Sequence, residues 1–401
     1  MKKNTNKENN QSNRRNLRIH SKNKRTGKKM TKIGRALMIV LIVIAVLIAA
    51  LVCAVYALFN HYYGLMDYTD VSQETVIEGN DLKEYLDGLE TASPEDAQLQ
   101  DDLKDQIDSM QGNKENAGNV INILLIGMDD SGVTNGSVTY DGSKNTDSMI
   151  ICTINPKNKK IILTSLMRDT LAEVARPNGS YVAARLNTAY AFGGYSGMFK
   201  TIDRNFGIEC DKFVGVNFAS FMDIVNIVGG VDIYVTREEA IEMNNVLEGI
   251  NELYKEKLSA DKLKDTSEGT KHLNGKQALA YARIRYLKGS DFGRTERQRK
   301  LIIAVASKLN KLSVSKLDSL LKTLLSEIST NFTPSECAEF IATAPAYLKY
   351  EIVSMRIPAD GTYEDVVLNN ASMLKVDLRE NNRLWKEAVY GTDTANTGND
   401  R

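Results

Sequence analysis

Arginine carries the most suggestive polar chemistry in this 401-residue chain, and its densest grouping lies between residues 283 and 298. Arg283 and Arg285 are two apart, so in an extended segment both side chains leave the same face. Arg294, Arg297 and Gln298 follow at spacings of three and four, which stacks them on one face of a helix. Guanidinium groups this close repel one another unless an anion lies between them, and their fixed forks suit phosphate oxygens. A diphosphate is the natural occupant. A row of surface arginines on a solvated helix would read the same way.

A second set of polar residues falls at the ends of apolar, strand-like runs. Asp129 and Asp130 close the first run, Asp147 opens the second, and Arg168 and Asp169 close the third. Crevices at strand ends are where α/β sheets bind ligands. Paired carboxylates beside phosphate-binding arginines also supply what magnesium needs, since it takes oxygen ligands and shares them with substrate phosphates. Any single strand-end aspartate can equally be a turn cap, so the set carries more weight than its members. The only histidines are His20, His61 and His272, which nearly excludes histidine triads and histidine-rich zinc sites.

The elements that must position these groups begin at Val120. Val120–Ile126, Met149–Ile154 and Lys160–Leu166 read as central strands, the last two joined as a hairpin through Asn155-Pro156-Lys157-Asn158. A further strand is expected at Val231–Val235. Helices are expected at Gly197–Phe206, Phe218–Val228, Asn274–Tyr281, Thr295–Leu312, Val314–Ile328 and Pro334–Thr343. Interleaved strands and helices imply a single α/β domain at 119–360 with a mixed central sheet covered on both sides. Residues 361–401 read as a C-terminal extension with a polar tail.

Ahead of that domain, Ala36–Phe59 is an uncharged apolar run of 24 residues, long enough for a transmembrane helix. Residues 1–35 hold 13 Lys or Arg and one acid, Glu8, which reads as a basic cytoplasmic tail and places everything after the anchor outside the cell. Residues 60–118, acidic and polar with helical stretches at Asp81–Leu89 and Asp96–Met110, read as an extracellular stalk or accessory segment. Cys53 lies in the anchor. Outside it are Cys152, Cys210 and Cys337, an odd number that describes no disulfide framework, although a Cys210–Cys337 bridge stays open.

Several segments strongly resemble the LytR-CpsA-Psr family of membrane-anchored wall-polymer ligases. The matching pieces are NILLIGMDD at 122–130, NTDSMIICTINPKNKKIILTSLMRDT at 145–170, RLNTAYAFGG at 185–194, DKFVGVNFASFMDIVNIVGGVDIYV at 211–235 and LNGKQALAYARIRYLKGSDFGRTERQRKL at 273–301. The resemblance implies a three-layer α-β-α domain and the transfer of a glycopolymer (teichoic acid, capsule or related) from undecaprenyl diphosphate to peptidoglycan through a phosphodiester. It implies magnesium on Asp129 and Asp147, and a diphosphate held by Arg168, Arg283, Arg285 and Arg294, with Asp291 and Gln298 adjoining. Arg185 and Asn187 fall in a substrate-binding motif that usually reads Lys-Leu-Asn, and Arg297 joins the same set. Asp169 or Asp291 would accept the hydroxyl proton. Met167 stands where proline is usual, Asn145 where arginine is frequent, and 131–144 is a longer loop than is typical. The layout implied is a single-pass protein of a Gram-positive-type cell membrane, with membrane lipid as a further partner and no role for nucleic acid. A pyrophosphatase side activity is a variant of the same chemistry; the alternative is a non-catalytic polyprenyl-phosphate-binding regulator of wall assembly.

Overall fold

In the computed structural model of the chain, the described residues are 93–111, 120–128, 137–139, 146, 148–287, 290–309 and 328–391, with scattered positions in 60–77 and 312–322. The chain divides into units 1–57 and 58–401, and every described residue belongs to the second. The basic tail and the apolar run 36–59 lie outside the described residues, as does most of the helix expected at 314–328. Among the described residues no helix is long and apolar enough to cross a membrane.

Strands β1 (Asp67–Tyr68) and β2 (Thr75–Ile77) and helix α1 (Pro94–Gln111) precede β3 (Ile121–Met128), β4 (Ser137–Thr139), β5 (Ser148–Asn155) and β6 (Lys160–Leu166). A hairpin, β7 (Leu171–Ala175) and β8 (Tyr181–Arg185), leads into α2 (Thr188–Phe206), β9 (Lys212–Asn217) and α3 (Phe218–Ile227). Next come β10 (Val231–Val235), α4 (Arg237–Leu253), β11 (Gly269–Leu273), α5 (Gly275–Arg283) and α6 (Ser290–Leu309). The chain closes with β12 (Ile328–Thr330), α7 (Pro334–Tyr347), β13 (Glu351–Ile357), the hairpin β14 (Tyr363–Leu368) and β15 (Ala371–Val376), and α8 (Leu378–Tyr390).

The three runs read as central strands do form the middle of one seven-stranded sheet, ordered β1-β12-β9-β3-β5-β6-β13. It is mixed: β3 pairs parallel with β9 and antiparallel with β5, and β6 pairs antiparallel with β5 and parallel with β13. Alternation along the strands decides what each face meets. Leu124 and Ile126 of β3, Met149 and Ile151 of β5, and Ile162 and Leu166 of β6 turn to one face, where they pack with Phe192, Met198 and Phe206 of α2 and Trp385 and Val389 of α8. On the other face lie Ser165 of β6 and Ser354 of β13, both bonded to Arg299 of α6. Helices therefore cover both faces, as expected of an α/β domain.

Two parts are more integrated than the sequence reading allowed. Helix α1, inside the segment read as a stalk, buries Leu103 and Ile107 in the main core. Residues 363–390, set apart as an extension, supply Leu368, Met373, Leu378 and Trp385 to that core. The β14–β15 turn is Asn369-Asn370, both at positive φ (50° and 61°), the conformation a two-residue type I′ hairpin requires. Helix α2 starts nine residues before the expected Gly197 because Gly193 and Gly194 interrupt it, which hid its first turns from periodicity. Gly194, at φ 56° and ψ −149°, adopts a backbone that L side chains resist.

Cys152, Cys210 and Cys337 are free thiols, so no Cys210–Cys337 bridge forms. Burial pushes the Cys152 thiol up to about 12, and Cys210 also upward. We expect thiol titration of the unreduced, denatured chain from residue 60 onward to find three reactive groups; finding one would reveal the bridge. Trp385→Ala should cost about 3–5 kcal/mol of stability in chemical denaturation, because a 2% exposed ring leaves a cavity in the core that α8 closes. A loss below about 1 kcal/mol would make α8 an appendage.

Candidate active site

The site is organised around a β-turn at the end of β6. Thr170 N–H donates to Met167 O (3.2 Å), which makes Arg168 and Asp169 the two central residues. Met167 N–H donates to Ile357 O (2.9 Å), a bond that proline could not make and that gives the departure at Met167 a use. Three neighbouring segments are pinned to the same turn. Leu374 N–H bonds Asp169 O (2.8 Å), Leu186 N–H bonds Thr170 O (2.8 Å) and Asn187 N–H bonds Arg168 O (3.2 Å). The β8–α2 junction and the β15 strand are thereby held beside Arg168 and Asp169.

Charge alternates along the side chains brought together there. Arg185 Nε lies 3.6 Å from Asp169 Oδ1, and Arg168 Nε lies 3.4 Å from Asp169 Oδ2. Arg168 Nη2 is 3.4 Å from Asp291 Oδ2, whose other oxygen is 3.1 Å from Arg294 Nη2. Among the described residues, three guanidiniums and two carboxylates form one chain. Arg294 is 3% exposed, so its charge sits largely out of water. All four contacts are longer than the roughly 2.7–2.9 Å of a tight charge-assisted hydrogen bond. Arg185 is anchored separately, donating from Nε and Nη2 to Ser372 O (3.1 and 2.9 Å).

Helix α6 begins at Ser290, before the expected Thr295, and so carries Asp291 in its first turn, where a carboxylate is favoured by the helix dipole. Asp291, Arg294 and Gln298 then repeat at three and four residues along one face. Gln298 Oε1 accepts from Ser148 Oγ (3.0 Å), tying that face to the first residue of β5. Arg297 does not join them. It is turned about 100° from Gln298, is 6% exposed, and pairs through Nε with Glu239 Oε1 (2.8 Å) while donating from Nη1 to Ile284 O (3.2 Å). Glu239 also closes the capping box of α4 with Thr236, so Arg297 fastens α6 to that cap.

Arg283 ends α5, and Ile284 turns extended and is fully buried, leaving Arg283 and Arg285 half-buried on either side of it. The Arg283 guanidinium lies 4.8 Å from the ring centroid of Phe218, the residue after Asn217, which pairs with Met128 at the end of β3. Arg283 thus reaches the same sheet end by way of a ring. Asn187 is 6% exposed, makes no side-chain cap to α2, and its Oδ1 has no hydrogen-bond partner among the described residues. A buried acceptor of this kind invites a ligand or water.

Arg299 escaped the sequence reading although it adjoins Gln298. Its guanidinium, 6% exposed, donates to Ser165 Oγ (2.6 Å) and to Ser354 Oγ, and burial pushes it down to about 10, still protonated at neutral pH. Arg356 lies 4.2 Å over Phe292. Asp129 and Asp147, the expected metal ligands, lie outside the described residues; Gly127 and Ser148, two positions from the first and next to the second, are register partners. Among the described residues no group of three or more His, Cys, Asp or Glu side chains is disposed to hold a metal.

An α/β domain that lines up guanidiniums and carboxylates at one end of a mixed sheet defines a class of protein that handles an oxyanion. The LytR_cpsA_psr family profile matches residues 83–389, and the chain belongs to that family. It is 31% identical over 239 residues to the polyisoprenyl-teichoic acid–peptidoglycan teichoic acid transferase TagV of Bacillus subtilis, covering 56% of this chain and 55% of that protein. It is 31% identical over 283 residues to biofilm regulatory protein A of Streptococcus mutans, covering 68% of this chain and 65% of the relative. The matched region thus spans less than two thirds of either relative's length. The fold is similar to the crystal structure of gbs0355 from Streptococcus agalactiae, with a TM-score of 0.55 and 29% identity over 68% of this chain and 89% of that one.

Arg297→Met should lower stability by about 3–5 kcal/mol, since Glu239 would lose its partner, yet leave diphosphate affinity of the folded fraction within about twofold. Weakened binding at unchanged stability would return Arg297 to the phosphate set.

Proposed function

We propose that the chain is a membrane-anchored extracytoplasmic phosphotransferase that moves a glycopolymer from an undecaprenyl diphosphate carrier to peptidoglycan. The observation that carries this reading is the alternating chain Arg185–Asp169–Arg168–Asp291–Arg294 at the sheet end, in a family whose relative TagV is named for this transfer. Its anchor would be 36–59, with the N-terminus cytoplasmic and the domain from about residue 60 outside.

In this reading a sugar hydroxyl of the wall attacks the phosphorus next to the polymer. The new O–P bond forms as the bond to the departing polyprenyl phosphate breaks, and no nucleotide is consumed because like is exchanged for like. Arg168, Arg294, Arg283 and Arg285 balance negative charge developing on the phosphoryl and leaving oxygens. The hydroxyl proton passes to a carboxylate. Asp169 is better placed than Asp291, with longer arginine contacts (3.4 and 3.6 Å) and a side chain 25% rather than 19% exposed. Asn187 Oδ1 would accept from a hydroxyl in the same space.

The family resemblance assigns magnesium to Asp129 and Asp147, and the buried Thr146 Oγ1 beside Asp147, which has no partner among the described residues, would be a further oxygen donor there. Bound there, the ion would supply charge neutralisation on the diphosphate. The prenyl tail calls for an apolar lane. On the sheet face that meets α6, Leu125 pairs in register with Val214 and Ile150; Leu125, Val214, and Ile302, Ile303 and Val305 of α6 are only half-buried.

The test is to incubate the chain with a lipid-diphosphate-linked glycan, magnesium and peptidoglycan oligomers. Polymer joined to glycan is expected; tight lipid binding without turnover would favour the regulator reading, to which the name of the Streptococcus mutans relative is closer. Arg283→Ala and Asp147→Ala should each reduce turnover at least about tenfold, on the order of 1.4 kcal/mol of transition-state stabilisation. A chelator should abolish turnover and added magnesium restore it; full activity in chelator would remove the metal from the scheme.

A further inference from the structure

The end of the sheet opposite the arginine chain carries a different surface. There α7 crosses from the β12 side to the edge strand β13. It begins just after Thr330, which pairs with Val214 of β9, and leads into Glu351, which faces Lys160 at the start of β6. Its inner side meets the first residues of β3 and β9, where Val120, Ile121 and Lys212 share one concavity with Glu336, Glu339 and Phe340. Ile121 and Met128, the two ends of β3, are about 23 Å apart, so α7 and the arginine chain occupy opposite poles of the sheet.

The two sides of α7 differ. On the inner side Lys212 Nζ lies 2.7 Å from Glu336 Oε1 and 5.8 Å from the ring centroid of Phe332. Phe332, Phe340, Tyr347 and Tyr350 continue from there as a half-buried row, with successive ring centroids 5.5–6.0 Å apart. On the outer side Ala338, Ala342, Pro345 and Ala346 recur at three and four residues, exposed and uncharged, and Leu348 is exposed beyond them. Tyr68 of β1, the register partner of Thr330, is exposed near the other end of the helix. Apolar surface of this kind marks contact with a partner or a membrane.

The course of the chain decides between them. Tyr63 Oη donates to Phe332 O (3.3 Å), which ties the start of the domain to the segment entering α7. Phe59, the last residue of the apolar run read as the anchor, is four positions earlier, at most about 14 Å away even in a fully extended chain. A bilayer left at Phe59 is therefore within reach of α7, and no second protein is needed to cover it. The tyrosines suit the interfacial zone of a membrane, and the exposed Lys349 beside Leu348 suits lipid phosphate. We propose that the outer side of α7 rests on the outer leaflet of the bilayer, which turns the arginine chain away from the lipid and toward the wall. The inference rests on the anchor reading of 36–59 and adds the face on which the domain stands. The half-buried Leu125–Val214 face then lies between lipid and diphosphate, along the course a prenyl tail would take.

The test uses the full chain reconstituted in phosphatidylglycerol–phosphatidylcholine vesicles whose acyl chains are plain or brominated, because bromine quenches indole emission on contact. The native Trp385 is buried in the core and supplies a constant background. Leu348→Trp should lose at least half of its added emission in brominated vesicles. Tyr286→Trp, exposed and three residues from Arg283 at the site end, should lose less than a tenth. Should Leu348→Trp fail to keep the wild-type melting transition, Tyr68→Trp takes its place with the same expected loss. A chain retained by the vesicles whose α7 probe is not quenched, or whose Tyr286→Trp emission is quenched as strongly, would overturn the resting face while leaving the anchor intact. A chain that washes off the vesicles would sink the anchor reading and this inference together.

Discussion

Like charge is the constraint around which this domain is arranged. Arg185, Arg168 and Arg294 would repel one another at the sheet end, and the fold holds them by inserting Asp169 and Asp291 between them. Among the described residues the chain holds two carboxylates for three guanidiniums, and one of those arginines, Arg294, is 3% exposed. Such a charge is expensive to keep out of water unless something anionic shares the space. In the proposed function, the same arrangement would hold the diphosphate.

The rest of the molecule can be understood as the means of imposing that arrangement. The turn after β6 presents Arg168 and Asp169, and its backbone groups take up the β8–α2 junction and β15. Helix α6 brings Asp291 and Arg294 from the other face, secured by Gln298 to Ser148, by Arg297 to the cap of α4 and by Arg299 to the serines of β6 and β13. Three consecutive polar side chains of one helix, Arg297, Gln298 and Arg299, thus do different work, and a substitution at each fails differently. The C-terminal hairpin and α8 belong to the same construction, because they bury core and brace the turn at once.

Much of this was legible in the sequence because it depends on local rules. The central strands are short apolar runs bounded by turn residues, and they lie within two residues of where those runs put them. The convergence of Arg168, Asp169, Asp291 and Arg294 was legible only through the motif resemblance, since 123 positions separate Arg168 from Asp291. Arg297 misled for a geometric reason. A spacing of three from Arg294 is compatible with a shared face, but the partner that decides the matter, Glu239, lies on a helix the sequence reading passed over. The signal for that helix was present in the Thr236-x-x-Glu239 capping box. Nothing in composition or period could have told that 363–390 completes the core rather than trailing from it, because hairpin and helix earn their burial from tertiary neighbours.

The central claim is that one sheet end holds a lipid-borne diphosphate between these guanidinium groups. A crystal structure of the chain with a short-chain prenyl diphosphate tests it most directly. The account predicts phosphate oxygens within about 3 Å of guanidinium nitrogens of Arg168, Arg294 and Arg283, with the prenyl chain running along the Leu125–Val214 face. A diphosphate bound away from the turn after β6, with the Arg168–Asp291–Arg294 chain undisturbed, would contradict it.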